Sequence, residues 1–184
     1  MNPLHAYSFE TTGVAIIKNA ISREQVAAAR TAVETNWADK KVPWKFPVLH
    51  LGRVFWELMT HPVLLELSHQ FAGENFRMDH AFGVSSNGAP PQLHGGPQSS
   101  QYSCFYFPLS HGQRRGLAGQ LNFGFTLYGQ TPETGGFCYI PGSHKSVDPR
   151  AGQEVLAEIY NHKFNHHSIV VPTLEPGDML LFTE

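Results

Sequence analysis

The residues best suited to chemistry in this chain sit around Leu93-His94-Gly95-Gly96. His94 follows Asn87-Gly-Ala-Pro-Pro-Gln-Leu93, a run with turn chemistry, and functional side chains concentrate on loops carried by a rigid scaffold. A histidine in that setting is a candidate metal ligand, against the competing reading of a hydrogen-bonded structural histidine. A metal would need further donors. Gly96 has no side chain to offer, and Gly95-Gly96 also suits a plain turn, since glycine is the default where φ must be positive. Asp79 in Arg77-Met-Asp-His80 is the acid available on the preceding strand, where a strand-edge or hydrogen-bonded role competes with ligation.

A second segment, Glu133-Thr-Gly-Gly-Phe-Cys-Tyr-Ile-Pro-Gly-Ser-His-Lys145, lies downstream, with Gly135-Gly136 and Pro141-Gly142 as turn residues bracketing a strand from Phe137 to Ile140. Read together, the two segments resemble the phytanoyl-CoA dioxygenase family of iron(II)/2-oxoglutarate oxygenases. In that family a His-x-Asp loop supplies two iron ligands and a Gly-Gly-x-x-x-x-Pro-Gly-Ser-His segment follows. The resemblance runs from Phe9 to Glu184. It implies a mainly β fold with N-terminal helices, the double-stranded β-helix or jelly-roll barrel. It also implies Fe(II) held by His94, 2-oxoglutarate as co-substrate, and hydroxylation of an unactivated C–H bond of a small organic substrate. Such iron sites use two histidines and a carboxylate on one face of the metal and leave the opposite positions open.

Two departures from the family pattern shape the expectations. Gly96 stands where the family carries its carboxylate. This opens a halogenase reading, with chloride in the vacated position, beside a hydroxylase that takes its carboxylate from elsewhere, Asp79 being the candidate. A catalytically inactive barrel that serves as a binding module is the third reading. The family's distal histidine and its 2-oxoglutarate-binding arginine follow a segment that this chain writes as Leu174-Glu-Pro-Gly-Asp-Met-Leu-Leu-Phe-Thr-Glu184. The expectation is therefore a fragment whose closing strands are missing and whose last strand leaves a sheet edge unpaired.

Further candidates lie beside the loop. Gln92, Gln101 and Asn122 are polar residues in or beside expected barrel strands and are candidates to contact 2-oxoglutarate or substrate. Tyr102, Phe105, Tyr106 and Phe107 alternate along a strand, so Tyr102 and Tyr106 are candidates for the substrate pocket, with core packing as the competing fate. In the family the Pro-Gly-Ser-His segment shapes the barrel rim, and the histidine matching His144 is not normally an iron ligand, with metal ligation by His144 the lesser alternative. Arg114-Arg115 reads as a solvated turn or as part of a lid that pairs with an anionic substrate, and Asp148 and Arg150 as a surface loop.

The elements that must position these residues fall in two blocks. Val14-Ala-Ile-Ile17 lies in a first strand from Phe9 to Lys18. Ser22-Arg-Glu-Gln25 has the capping-box form and opens a helix from Arg23 to Trp37. A link through Pro43 and Pro47 leads to a short helix at Arg53–Met59, then to one beginning at Pro62 that Gly73 ends. From Phe76 the texture becomes short apolar runs between glycines and prolines. Strands are expected over Phe76–Val84, Tyr102–Phe107, Leu117–Tyr128, Phe137–Ile140, Ser168–Leu174 and Met179–Phe182. No repeat or linker divides the chain, so one domain is expected over residues 1–184, helical from about residue 20 to 73 and barrel from about 75 onward.

Composition excludes several classes. Thirteen basic against 15 acidic residues give a net charge of −2, so no global basic field is present to hold nucleic acid or an anionic membrane. Two cysteines are too few for a disulfide framework or a zinc-thiolate site, and a reducing cytoplasm is the expected compartment. The N-terminus lacks the pattern of a secretion signal, and no apolar run approaches the roughly 18 residues that a membrane span requires. A small molecule is the expected partner.

Overall fold

The computed structural model describes residues 2–38, 40–85, 93, 104–108, 114–146, 149–162 and 165–183. It begins with a helix, α1 (Pro3–Thr12), where the first half of a strand was expected. The physical reason is local. Asn2 Oδ1 accepts from the Leu4 amide, Pro3 fits the first helical turn, and Gly13 closes the helix at φ 84°, its N–H donating to the Phe9 carbonyl at 2.8 Å. Only Val14–Ile17 forms β1.

The capping box does open α2 (Arg23–Asn36). Ser22 Oγ accepts from the Gln25 amide at 3.2 Å, and Gln25 Oε1 accepts from the Ser22 amide at 2.9 Å. The strand β2 (Lys45–Pro47) follows, then α3 (Arg53–Met59) and α4 (Pro62–Ala72). Of the expected strand Phe76–Val84 only β3 (Phe82–Val84) pairs, antiparallel to β2, with Phe46 seated where Gly83 has no Cβ.

The expected strand Leu117–Tyr128 divides in two. β4 (Cys104–Pro108) pairs with β5 (Arg114–Ala118), and β6 (Asn122–Phe125) joins a different sheet. Arg114 and Arg115 thus lie in a strand, opposite Pro108 and Phe107, rather than in a solvated turn. Phe137–Ile140 and Ser168–Leu174 contribute isolated bridges, Tyr139 to Val170 and Gln130 to Leu174. A helix, α5 (Pro149–Asn161), contains Arg150 where a loop was expected, while Asp148 lies outside the described residues. β7 (Met179–Phe182) has the bounds expected for it.

The sheet β1-β7-β6 organises the molecule, with β7 in the middle and antiparallel to both neighbours. The last strand is therefore not an edge strand, and among the described residues β1 and β6 form the edges of this sheet. One face presents Ala15, Ile17, Phe123, Phe125, Met179 and Leu181, which pack with Phe9 of α1 and Leu67 and Phe71 of α4. Met179, Leu181 and Leu67 are completely buried, each worth about 1.5–3 kcal/mol of transfer free energy. A second cluster joins Val26, Ala29 and Val33 of α2 to Phe46, Val48, Phe55 and Leu58 and reaches Phe125 of the same sheet. The helices thus cover one side of the sheet.

The mainly β description fits only in part, because among the described residues helices hold more of the chain than strands. Those residues form a three-stranded sheet and two ribbons rather than a closed barrel.

Candidate functional site

Register fixes what the second face of the sheet carries. Asn122 stands opposite Phe182 and Gly124 opposite Leu180, while Val14 and Ile16 of β1 pair with Phe182 and Leu180. Directly paired residues share a face and successive ones alternate, so these six oppose the helix-packed set. Part of the face is closed by a small apolar cluster in which Leu174, Phe137 and Tyr139 join Val14, Ile16, Leu180 and Phe182. The Phe137 ring lies 4.8 Å from that of Phe182 and 5.9 Å from that of Tyr139, centroid to centroid.

Asn122 is the polar member of this face. It is half-buried, and its Oδ1 accepts from Gln120 Nε2 at 3.1 Å. Its Nδ2 is buried and has no hydrogen-bond partner, an arrangement that costs free energy in a folded protein unless something else accepts from it. Gln120 is itself tied into the sheet, since its carbonyl accepts from Thr183 Oγ1 at 2.8 Å.

The aromatic wall is held by Gln130. Its Nε2 donates to the carbonyls of Phe137 at 2.8 Å and Pro172 at 2.9 Å, and its Oε1 accepts from the Phe137 amide at 2.8 Å. Burial pushes the Tyr139 phenol above its ordinary value, so it stays a neutral donor and acceptor. These roles of Phe137, Tyr139, Phe182 and Gln130 escape the sequence reading. An extended segment over Phe137–Ile140 was legible, but the partner that fixes its face was not.

The other candidates fall elsewhere. Asp79 is two-thirds exposed ahead of β3, with Oδ2 2.9 Å from Nδ1 of its neighbour His80. Tyr106 stands in β4 opposite Gly116. His94, Gly96, Gln92, Gln101 and Tyr102 lie outside the described residues. Among the described residues no three His, Cys, Asp or Glu side chains come together in a way that could hold a metal ion. The described residues alone do not fit an iron site, and any donor set depends on residues outside them, His94 first.

His144 sits in a single helical turn, Ser143–Lys145. Its turn is seated on the α1–β1 junction, where the Gly142 amide donates to the Thr12 carbonyl at 3.0 Å, and the ring lies against Gly13. Neither ring nitrogen has a hydrogen-bond partner. Desolvation, helped by the charge of Lys145 and only partly offset by the Glu10 backbone, pushes its pKa down to about 4. His144 is thus a buried neutral imidazole packed against Gly13.

Comparison with known proteins places this geometry. The chain is similar to HygX from Streptomyces hygroscopicus with nickel and 2-oxoglutarate bound, at 22% identity and a TM-score of 0.80, over 100% of this chain and 78% of that one. The form of HygX with nickel, 2-oxoglutarate and hygromycin B bound matches at 20% identity and 0.66, over 100% and 78%. SnoN, a non-heme alpha ketoglutarate dependent epimerase from nogalamycin biosynthesis, matches at 17% and 0.64, over 98% and 70%. These likenesses establish a shared fold. No curated protein matches in sequence. The family model for phytanoyl-CoA dioxygenase (PhyH) matches residues 9–184, and the chain belongs to that family.

Proposed function

We propose that this protein is an iron(II)/2-oxoglutarate-dependent oxygenase that hydroxylates an unactivated C–H bond of a small organic substrate. One observation carries the reading: the family match over residues 9–184, on a fold shared along its whole length with HygX, which crystallised with nickel and 2-oxoglutarate. Hygromycin B bound to that neighbour supports a small polar molecule as the substrate class. Among the described residues no helix is long and apolar enough to cross a membrane.

When bound, iron and 2-oxoglutarate supply the oxidising chemistry, in which one oxygen atom goes to succinate as the co-substrate loses carbon dioxide and the other goes to the substrate. The chain's part is binding, orientation and exclusion of water. His94 is the residue we assign to the metal. Asn122 offers a buried N–H donor for an oxygen of the co-substrate or substrate. Phe137, Tyr139 and Phe182 present an apolar wall that keeps water from this face. Asp79, exposed and paired with His80, has less to support it as a ligand than as a surface residue. Chlorination rests on Gly96 alone, and no feature of the described fold adds to it.

The cores support a single domain over the chain, because the α2–α3 cluster and the sheet cluster share Phe125. The deciding experiment incubates the full chain anaerobically with iron(II) and 2-oxoglutarate, admits oxygen and follows succinate. Succinate formation that disappears in His94→Ala is expected. No iron binding and no succinate would leave the non-catalytic binding module as the reading. Substrate products that gain chlorine in chloride buffer, rather than oxygen, would turn the assignment to a halogenase.

A further inference from the structure

Among residues whose surroundings are described, two glycines stand inside strands, Gly83 in β3 and Gly124 in β6. Packing explains the first, because a Cβ built on Gly83 would run into the Phe46 ring. Nothing comparable explains the second. The backbone of Gly124 is not in the left-handed region, so φ does not require a glycine there. Among the described residues a Cβ on Gly124 would meet only Leu180, 3.7 Å from its Cβ and 3.8 Å from its Cδ1, which is ordinary contact. A glycine inside a strand costs stability relative to a residue with a side chain, and one that neither backbone nor packing demands marks a place where another group comes close.

The neighbours of Gly124 say what that group is like. Gly124, Leu180 and Ile16 form one row across β6, β7 and β1, and Asn122, Phe182 and Val14 form the next. The apolar cluster on this face draws its sheet members from β1 and β7 alone. On the β6 side stands Asn122 Nδ2, buried and without an acceptor. None of the three strands contains a lysine or arginine, so a dianion such as 2-oxoglutarate gains no charge partner from them. A neutral molecule with an apolar face and an oxygen suits both features. We propose that Gly124 and Asn122 form a substrate subsite, in which the ring of a neutral carbocycle or sugar lays a C–H face over Gly124 and Leu180 while one of its oxygens accepts from Asn122 Nδ2. Gly124 is then the residue that sets the size of what fits. The inference rests on the oxygenase reading above only in calling that molecule the substrate.

The test uses the full chain as wild type, Gly124→Ala, Gly124→Val and Asn122→Leu. Thermal midpoints are read first. Gly124→Ala should match wild type or exceed it by about 1–4 °C, because the Cβ has room and the unfolded chain loses freedom. Cyclohexanone, a ring with a C–H face and one carbonyl oxygen, is then titrated into nitrogen-15-labelled protein while the Gly124 amide and the Asn122 side-chain amide are followed by NMR. Both signals should shift in wild type and saturate at about millimolar probe. Followed at residue 124, affinity should fall about fivefold in Asn122→Leu, which removes the donor, and about tenfold in Gly124→Val, which fills the space. The affinity for 2-oxoglutarate, measured anaerobically with iron(II), should be the same in all four proteins.

A lowered midpoint in Gly124→Ala overturns the proposal, because the glycine would then serve the fold. So does a probe that shifts neither signal in wild type, or that binds Gly124→Val as tightly as wild type. Loss of 2-oxoglutarate affinity in Gly124→Val gives the space to the co-substrate and overturns the substrate role. Absence of 2-oxoglutarate binding by wild type defeats the oxygenase reading alone, since the cyclohexanone result is read without it.

Discussion

Asp178 is completely buried, and Lys18, a half-exposed residue 160 positions away, donates to its Oδ2 from Nζ at 2.5 Å. The same carboxylate accepts from the Asn19 amide at 3.1 Å and the Glu175 amide at 2.8 Å. One side chain thus closes the Glu175–Asp178 turn and pins the end of β1 beside the start of β7. Burial alone would raise its pKa, but these three donors outweigh that and hold the carboxyl below its ordinary value. With the folded pKa depressed, the stabilisation is full above the ordinary Asp range and is lost as the pH falls through the folded value. Asp178→Asn is expected to lower stability by about 2–3 kcal/mol at neutral pH, by urea denaturation. The difference from wild type should shrink in strong acid, and a constant difference down to the acid limit would contradict the assignment.

His144 and Gly13 predict a second pH dependence at higher pH. The imidazole is neutral in the fold, with its pKa down at about 4 against an ordinary 6.5. Between these values the unfolded chain binds the proton and the folded chain does not, so stability declines as pH falls from 6.5 toward 4. The loss is of the order of 2–3 kcal/mol. His144→Phe should flatten the thermal midpoint across this window, whatever its effect at neutral pH. Gly13→Ala should destabilise at every pH, because φ there is 84° and a Cβ would lie 2.6 Å from His144 Nδ1.

These residues also show how far the sequence reaches. The capping box at Ser22, the proline start of α4 and the apolar run of β7 are decided within a few neighbouring residues, so each was legible. The α1 helix was missed because its apolar content gives almost no sidedness and its Asn2–Pro3 start carries the signal. The loop at Arg114-Arg115 became a strand because a partner, β4, supplies the ladder that two charged residues do not announce. At the candidate site Asn122 was legible as a polar residue within a strand. Its face depends on the register with Phe182, a contact 60 residues away, and no local pattern encodes that.

Gln130 is the next test of the wall. Its amide satisfies three backbone groups at once, the Phe137 N–H and C=O and the Pro172 C=O. Gln130→Ala leaves all three without that partner and is expected to cost about 3 kcal/mol in denaturant unfolding. If Phe137 is held against Phe182 by this residue, 2-oxoglutarate turnover should also become less coupled to product, measured as succinate formed per substrate oxidised. Wild-type coupling in a variant that has lost the expected stability would separate the wall from the chemistry.

Asn122 offers the sharpest separation of folding from function. Its Nδ2 is buried without a partner and bears a desolvation cost that offsets the hydrogen bond its Oδ1 accepts from Gln120. Asn122→Leu, which removes that donor and adds apolar surface beside Phe182, should leave the thermal midpoint unchanged or raise it. Catalysis should move the other way. If the donor serves an oxygen of the co-substrate or substrate, the corresponding KM rises about tenfold, the loss of one hydrogen bond to a charged or polar group. Asn122→Ser, which keeps a smaller donor, should recover part of the KM. A variant that loses stability and keeps KM would show that Asn122 packs the sheet and does nothing more. The opposite pair of results, stability kept and KM raised, assigns the Asn122 face of β6 to the ligand.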